Sequence, residues 1–129
     1  MKAIITAIAI LIGTSVNAQS TPSETYYNNG NIESRVASVN GADMITIFHE
    51  EGGVKETGIV ENGKREGQWE RYDAQGNLVA RAYYKNDKKA GDWVFWNADG
   101  SLKMTVTYEN NAVASYKDYS GTTVALGDE

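Results

Sequence analysis

The sequence has no cysteine, which excludes a disulfide framework, a thiolate zinc site, a thiol nucleophile and a lipid-anchoring thiol. A single histidine, His49, excludes a multi-histidine metal cage. Positive charge is scarce: 12 Lys and Arg stand against 17 Asp and Glu, a formal net charge of −5. That balance argues against a nucleic-acid partner, because such sites present a basic face. There is one proline, Pro22, and no segment beyond the N-terminus with apolar residues at helical spacing. Catalytic signatures are missing too. No glycine-rich strand-to-helix turn, G-x-S-x-G elbow, H-x-G-H phosphate motif or calcium-loop spacing occurs. No catalytic residue, metal ligand or cofactor site is therefore expected, and the chain reads as a non-enzyme.

Only one long hydrophobic run exists, and it lies at the start. Lys2 precedes Ala3 to Ile12 (AIITAIAILI), and Val16-Asn17-Ala18 then places small residues before Gln19. This layout is that of a cleaved signal peptide, with the cut expected between Ala18 and Gln19. The run is too short to span a membrane, which takes about 20 apolar residues. Residues 1–18 are thus expected to be a signal helix, and 19–25 a flexible polar leader. The mature chain is expected in the periplasm or outside the cell.

Glycine and aromatics are abundant: 13 Gly, 3 Trp, 8 Tyr and 2 Phe. They recur with a period. Gly67-Gln68-Trp69-Glu70-Arg71-Tyr72-Asp73-Ala74-Gln75-Gly76-Asn77-Leu78 aligns with Gly91-Asp92-Trp93-Val94-Phe95-Trp96-Asn97-Ala98-Asp99-Gly100-Ser101-Leu102 at an offset of 24. Phe48, Gly52 and Val54 occupy the same phase one unit earlier, and Tyr26, Gly30 and Ile32 begin a degenerate unit. The expected organisation is hairpin repeats over 26–121, in units of about 26–42, 43–66, 67–90 and 91–114 with a partial 115–121. A tail follows at 122–129. The fold expected is all-β: a single-sheet antiparallel meander of tandem hairpins of about 24 residues.

Turn chemistry sets the register. Asp73-Ala74-Gln75-Gly76, Asn97-Ala98-Asp99-Gly100 and His49-Glu50-Glu51-Gly52 suit a type I turn closed by a left-handed glycine, giving three-residue loops. Counting outward pairs Tyr26 with Ile32, Phe48 with Val54, Tyr72 with Leu78 and Trp96 with Leu102. Plain alternation from Leu78 puts Ala80, Ala82 and Tyr84 on the same face as Leu78, and likewise Met104, Val106 and Tyr108 with Leu102. The same counting sends Trp69 and Trp93 to the other face, opposite Arg81 and Thr105.

The run G-x-W-x-x-[YW]-x-x-x-G-x-L, followed by an aromatic, an Asn-Gly-like turn and G-x-W again, resembles the variant MORN-type repeat, including small YwqK-like proteins labelled antitoxins. The resemblance covers about Tyr26 to Gly121 and is clearest over Glu61 to Tyr108. It implies a scaffold that holds partners rather than a particular chemistry.

His49-Glu50-Glu51 is the one place where a base and carboxylates adjoin, and its repeat position makes it a turn. Trp69, Trp93 and Tyr83 are expected to form an exposed aromatic row. With Arg81, Lys85, Lys88 and Lys89, a basic cluster around one turn, they compose the candidate interaction surface. The expected function is an exported interaction module of the cell envelope, binding a protein partner or itself, with an envelope glycan also possible. The alternatives are a self-associating structural component or an immunity-type inhibitor of an envelope-acting partner.

Overall fold

A computed structural model describes residues 21–121. The expected signal helix, the Ala18–Gln19 cleavage pair and the tail 122–129 lie outside the described residues. Ten strands follow one another: β1 (Ser23–Tyr26), β2 (Ile32–Val39), β3 (Ala42–Phe48), β4 (Val54–Glu61), β5 (Lys64–Tyr72), β6 (Leu78–Lys85), β7 (Lys88–Lys89), β8 (Gly91–Trp96), β9 (Leu102–Glu109) and β10 (Ala112–Asp118). They form one open antiparallel sheet in chain order, with the two-residue β7 paired only to β6. The described residues contain no helix, so the sheet is a single-layer meander.

Two kinds of turn alternate along it. Tight two-residue turns fall at Asn40-Gly41, Asn62-Gly63, Asn86-Asp87 and Asn110-Asn111, with φ positive at both residues. That is the type I′ geometry, whose twist matches the flanking strands. The opposite end of the sheet carries three-residue loops. In each, the first residue's N–H bonds a carbonyl four residues on, as in Asp73 N to Asn77 O at 2.9 Å and Asn97 N to Ser101 O at 2.9 Å. The closing glycines Gly52, Gly76 and Gly100 are left-handed, as the turn type demands. Asp73 adds a cap, its Oδ1 accepting from Gln75 N and Asn77 N.

The expected loop pairs are all present: Tyr26↔Ile32, Phe48↔Val54, Tyr72↔Leu78 and Trp96↔Leu102. The faces beyond them differ from plain alternation. After Tyr72↔Leu78 the next pair is Arg71↔Ala80, so Val79 has no partner; after Trp96↔Leu102 the next is Phe95↔Met104, so Lys103 has none. Glu33 and Lys55 are skipped in the same way. Each unit thus carries a β-bulge one residue past its loop pair. One extra residue reverses the facing of everything beyond it. Trp69 therefore lies opposite Ala82 and Trp93 opposite Val106, not opposite Arg81 and Thr105. Leu78 shares a face with Tyr72, Arg81 and Tyr83, while Ala80, Ala82 and Tyr84 point the other way.

A second irregularity gives the tryptophans their packing. Between Thr57↔Glu70 and Ile59↔Glu66 the β4–β5 register jumps, at Gly67 with φ 71°. The indole of Trp69 crosses onto β4 and donates Nε1–H to the Ile59 carbonyl at 3.1 Å. Trp93 repeats this with the Tyr83 carbonyl at 3.0 Å, behind Gly91. With no second layer, burial comes from such crossings: the core of the described residues is Trp69, Tyr84 and Val106, with Gly58 beneath the Trp69 ring.

Candidate interaction surface

The bulges sort the aromatics into two stripes on opposite faces. On the first, the ladder face, rings follow one another across the strands. Trp69 meets Tyr84 at 6.3 Å, Tyr84 meets Trp93 at 5.2 Å and Trp93 meets Tyr108 at 5.0 Å, the first two contacts edge-on. Such contacts each contribute roughly 0.5–1.5 kcal/mol beyond burial. Cations cover the row. The Arg65 guanidinium lies 4.1 Å over Tyr84 while its Nε bonds Asp87 at 2.8 Å, and the Lys89 ammonium stands 5.2 Å from both Trp93 and Tyr108. The hydrogen bond to Asp87 raises the Arg65 pKa and lowers that of Asp87, while burial pushes the Tyr84 hydroxyl up.

The opposite face carries the loop-end rings Tyr26, Phe48, Tyr72 and Trp96. Here a double-length repeat of 46 residues is visible. Glu24 accepts from Tyr26 OH and Arg35 Nε, each at 2.7 Å, and Arg35 lies 5.6 Å over Phe48 of the next unit. Two units on, Glu70 accepts from Tyr72 OH at 2.5 Å and Arg81 lies 5.4 Å over Trp96. The tyrosine hydroxyls hold both carboxyls below the usual carboxylate range, and the tyrosines are raised in return. In the second pair Gln68 Nε2 takes the other Glu70 oxygen at 2.7 Å, and the buried Arg81 Nε has no acceptor.

The residues expected to form one surface are therefore divided. Trp69, Trp93 and Lys89 belong to the ladder face, where Trp69 is only 5% exposed and the row packs on itself. Tyr83, Arg81, Lys85 and Lys88 lie on the opposite face, as the pairs Gln68↔Tyr83, Glu70↔Arg81 and Lys85↔Lys88 require. Tyr83 is 47% exposed and is joined on that face by Met44 and Val39, each 50% exposed. Sequence reasoning passed over Met44 and Val39, because single apolar residues on a strand carry no sign of which face is covered. His49 is a loop residue with a structural contact. Its Nε2 lies 3.0 Å from the Tyr72 carbonyl, which can only accept, so Nε2 carries the proton. Among the described residues no three His, Asp or Glu side chains are grouped to hold a metal ion.

An open ribbon of stacked hairpins, with its side chains used in packing between units, is the architecture of a repeat scaffold. Residues 65–86 and 89–110 each match the MORN repeat variant, so the chain carries two tandem copies of that repeat. Repeats of this kind generally serve as protein- or membrane-binding modules. Two solved structures share the fold. TarM aligns at 13% identity with a TM-score of 0.51, covering 74% of this chain and 20% of TarM. A point mutant of S. aureus TarM in complex with Fondaparinux, alpha-GlcNAc-glycerol and UDP aligns at 13% identity and 0.52, covering 71% and 19%. The chain thus spans about a fifth of the length of these structures. No curated protein matches the sequence.

Proposed function

We propose that the chain is an exported, non-catalytic interaction module that presents the face bearing Val39, Met44 and Tyr83 to a protein partner in the cell envelope. The observation that carries this reading is the contrast between the two faces. Across β2–β8 the ladder face closes its aromatics against one another and under Arg65 and Lys89, whereas the opposite face leaves Val39, Met44 and Tyr83 to solvent; on the ladder side the exposed large apolar groups, Val113 and Tyr116, lie on the edge strand β10. Aromatic and methionine side chains beside a guanidinium are the groups that anchor interfaces. The signal-peptide pattern at Lys2–Ala18 supports export.

The test has two parts. Intact mass of the chain recovered from the producing cell should begin at Gln19. Capture from an envelope extract, repeated with purified candidates until a direct complex is measured, should lose at least about tenfold in affinity in Met44→Ser/Tyr83→Ser. The double variant should keep the native circular dichroism. An undiminished complex would move the interface elsewhere. Self-association is the second reading, favoured by β10, an edge strand whose seven residues are all exposed. Light scattering that shows a concentration-independent monomer would remove it.

A further inference from the structure

Backbone pairing between neighbouring hairpins stops short of the loop ends, at Ser34↔Ile47, Glu56↔Arg71 and Ala80↔Phe95, and in the first two steps a side chain bridges beyond it. Tyr27 OH donates to the Phe48 carbonyl at 2.7 Å, and His49 Nε2–H donates to the Tyr72 carbonyl at 3.0 Å. Both clasps start from the first loop residue of one unit and end on the loop-end aromatic of the next. The third step places Asp73 and Trp96 in these roles. Asp73 is turned into its own loop, accepting from Gln75 N, Asn77 N and Asn77 Nδ2, and these bonds lower its pKa. An ionised carboxylate has no proton to give, so nothing in this unit reaches the Trp96 carbonyl.

A cleft of about 420 Å³ lies there, lined by Asn77, Leu78, Trp96, Ala98, Asp99 and Gly100. A second cleft of about 390 Å³ shares Trp96 and Ala98 and is lined from the ladder face by Ala80 and Phe95. Both are open depressions at the loop end of the sheet rather than enclosed cavities. The lining of the larger one has a distinct chemistry. Indole and leucyl side chains provide an apolar patch, and Asp99 supplies a carboxylate whose Oδ1 is fixed by Ser101 N at 2.9 Å and Ser101 Oγ at 2.5 Å. Asn77, its Nδ2 held by Asp73, keeps its carbonyl oxygen free to accept. Asp99 is the one charged group in this lining, so an anion seated against it would meet a carboxylate, while the nearby cations stand behind the ring and in the second cleft: Arg81 over Trp96, and Arg71 and Lys103 along the neighbouring wall.

We infer that the cleft between the third and fourth loops binds a neutral saccharide. The C–H face of a pyranose covers the indole and leucine, while its hydroxyls donate to Asp99, Asn77 Oδ1 and the Trp96 carbonyl. In that last contact a sugar hydroxyl does for Trp96 what the Tyr27 hydroxyl does for Phe48. The site lies at the loop end and uses none of Val39, Met44 or Tyr83, so it stands apart from the protein-binding face.

The experiment titrates the full chain with maltotetraose, cellotetraose and chitotetraose, and with a heparin-derived tetrasaccharide as the anionic control, following tryptophan fluorescence and heat. A saturable response to at least one neutral tetrasaccharide is expected, with little from the anionic one. Trp96→Ala and Asp99→Asn should each weaken it about tenfold or more. Asp73→His leaves Trp96 and Asp99 in place and supplies the clasp that His49 provides one unit earlier. It should abolish the response while the native circular dichroism is kept, the clasp standing in for the lost cap on Gln75 N and Asn77. Silence from all three neutral probes at millimolar concentration, a response only to the anionic one, or full binding by folded Asp73→His would each overturn the assignment. Loss of the protein complex in Met44→Ser/Tyr83→Ser leaves this outcome untouched, and the reverse holds for Asp73→His.

Discussion

A methyl group at position 58 should disturb the centre of the sheet. A Cβ built on Gly58 would stand 2.1 Å from Trp69 Cδ2 and 2.3 Å from Cε2, distances that real side chains do not tolerate. The indole must move or β4 must shift. The next unit shows a way out: position 58 corresponds to Ala82 there, and its indole, Trp93, rests on Tyr84 and Tyr108 with more of its surface exposed. If Trp69 takes that posture it keeps a hydrogen bond and exposes about a quarter of a ~250 Å² side chain, costing about 1.5 kcal/mol at ~25 cal/mol/Å². Full ejection would cost about 5–6 kcal/mol on the same basis, with roughly 1 kcal/mol more for the lost bond to Ile59. Gly58→Ala is therefore expected to destabilise by about 2–4 kcal/mol in urea unfolding, with a red-shifted tryptophan emission.

The sign should reverse without the ring. In a Trp69→Ala background the three ring atoms nearest the methyl are gone, and alanine is favoured over glycine in a strand by roughly 0.5–1 kcal/mol. The double-mutant cycle should then give a coupling of at least about 2 kcal/mol. Additive costs, or a Gly58→Ala penalty under about 0.5 kcal/mol, would refute the claim that the indole rests on the bare backbone.

Three further perturbations test other parts of the ribbon. His49→Ala removes the clasp to Tyr72 and should cost about 1 kcal/mol of unfolding free energy without altering the circular dichroism. Arg65→Ala removes the stack on Tyr84 and the bond to Asp87. Because both partners of the ion pair are well exposed, about 1 kcal/mol is expected, most of it from the stack, and Arg65→Lys should recover only part. Acid should weaken the fold. Hydrogen bonds hold Glu24, Glu70, Asp73, Asp87, Asp99 and Asp118 below the usual carboxylate range, so the unfolded chain takes up protons first as pH falls. That stability is complete above the ordinary carboxylate value near pH 4 and disappears as pH drops through the depressed values. A urea midpoint that stays level from neutral pH to about pH 3 would contradict it.

The loops were legible because their chemistry is local. Asp73 and Asn97, each three residues before a glycine, specify three-residue hairpins, and the other two loops, which begin with Tyr27 and His49, follow from the repeat phase of Gly30 and Gly52. The faces were not, because a bulge depends on the neighbouring strand. Glu33, Lys55 and Lys103 are charged residues directly after the loop-pair aliphatic, and the skipped position lets each project into water. A charge recurring at that phase was the available sign, yet Val79 hides it in the unit whose sequence is clearest. The basic cluster suffered the same fate. Lys85, Lys88 and Lys89 are neighbours along the chain, but a type I′ turn sends Lys89 to one face and the other two to the opposite one. The exposed Met44 and Val39 gave no periodic signal at all. Their meaning depends on which face is closed by the aromatic ladder, and that is decided by the same bulges.

The 46-residue repetition separates what holds the ribbon together from what has diverged on it. Glu24, Tyr26 and Arg35 recur as Glu70, Tyr72 and Arg81 with the same tyrosine-to-carboxylate bond and the same stack, so this part is structural: in each copy it lays a guanidinium over the next unit's ring. The copies part at two places. Pro22 becomes Gln68, which takes the Glu70 oxygen that Arg35 finds on Glu24 and leaves Arg81 Nε without an acceptor. Tyr27 becomes Asp73, which exchanges a clasp for a loop cap and opens the cleft beside Trp96. Both changes converge on one ring, Trp96. Divergence confined to packing would be expected to restore the lost contacts from a neighbouring side chain; here neither the Arg81 nitrogen nor the Trp96 carbonyl is reached by any side-chain partner among the described residues. Reversing the second change trades the cap on Gln75 N and Asn77 for the clasp on Trp96. Asp73→Tyr, which restores the first copy's residue, should therefore close the cleft with little net change in the urea midpoint.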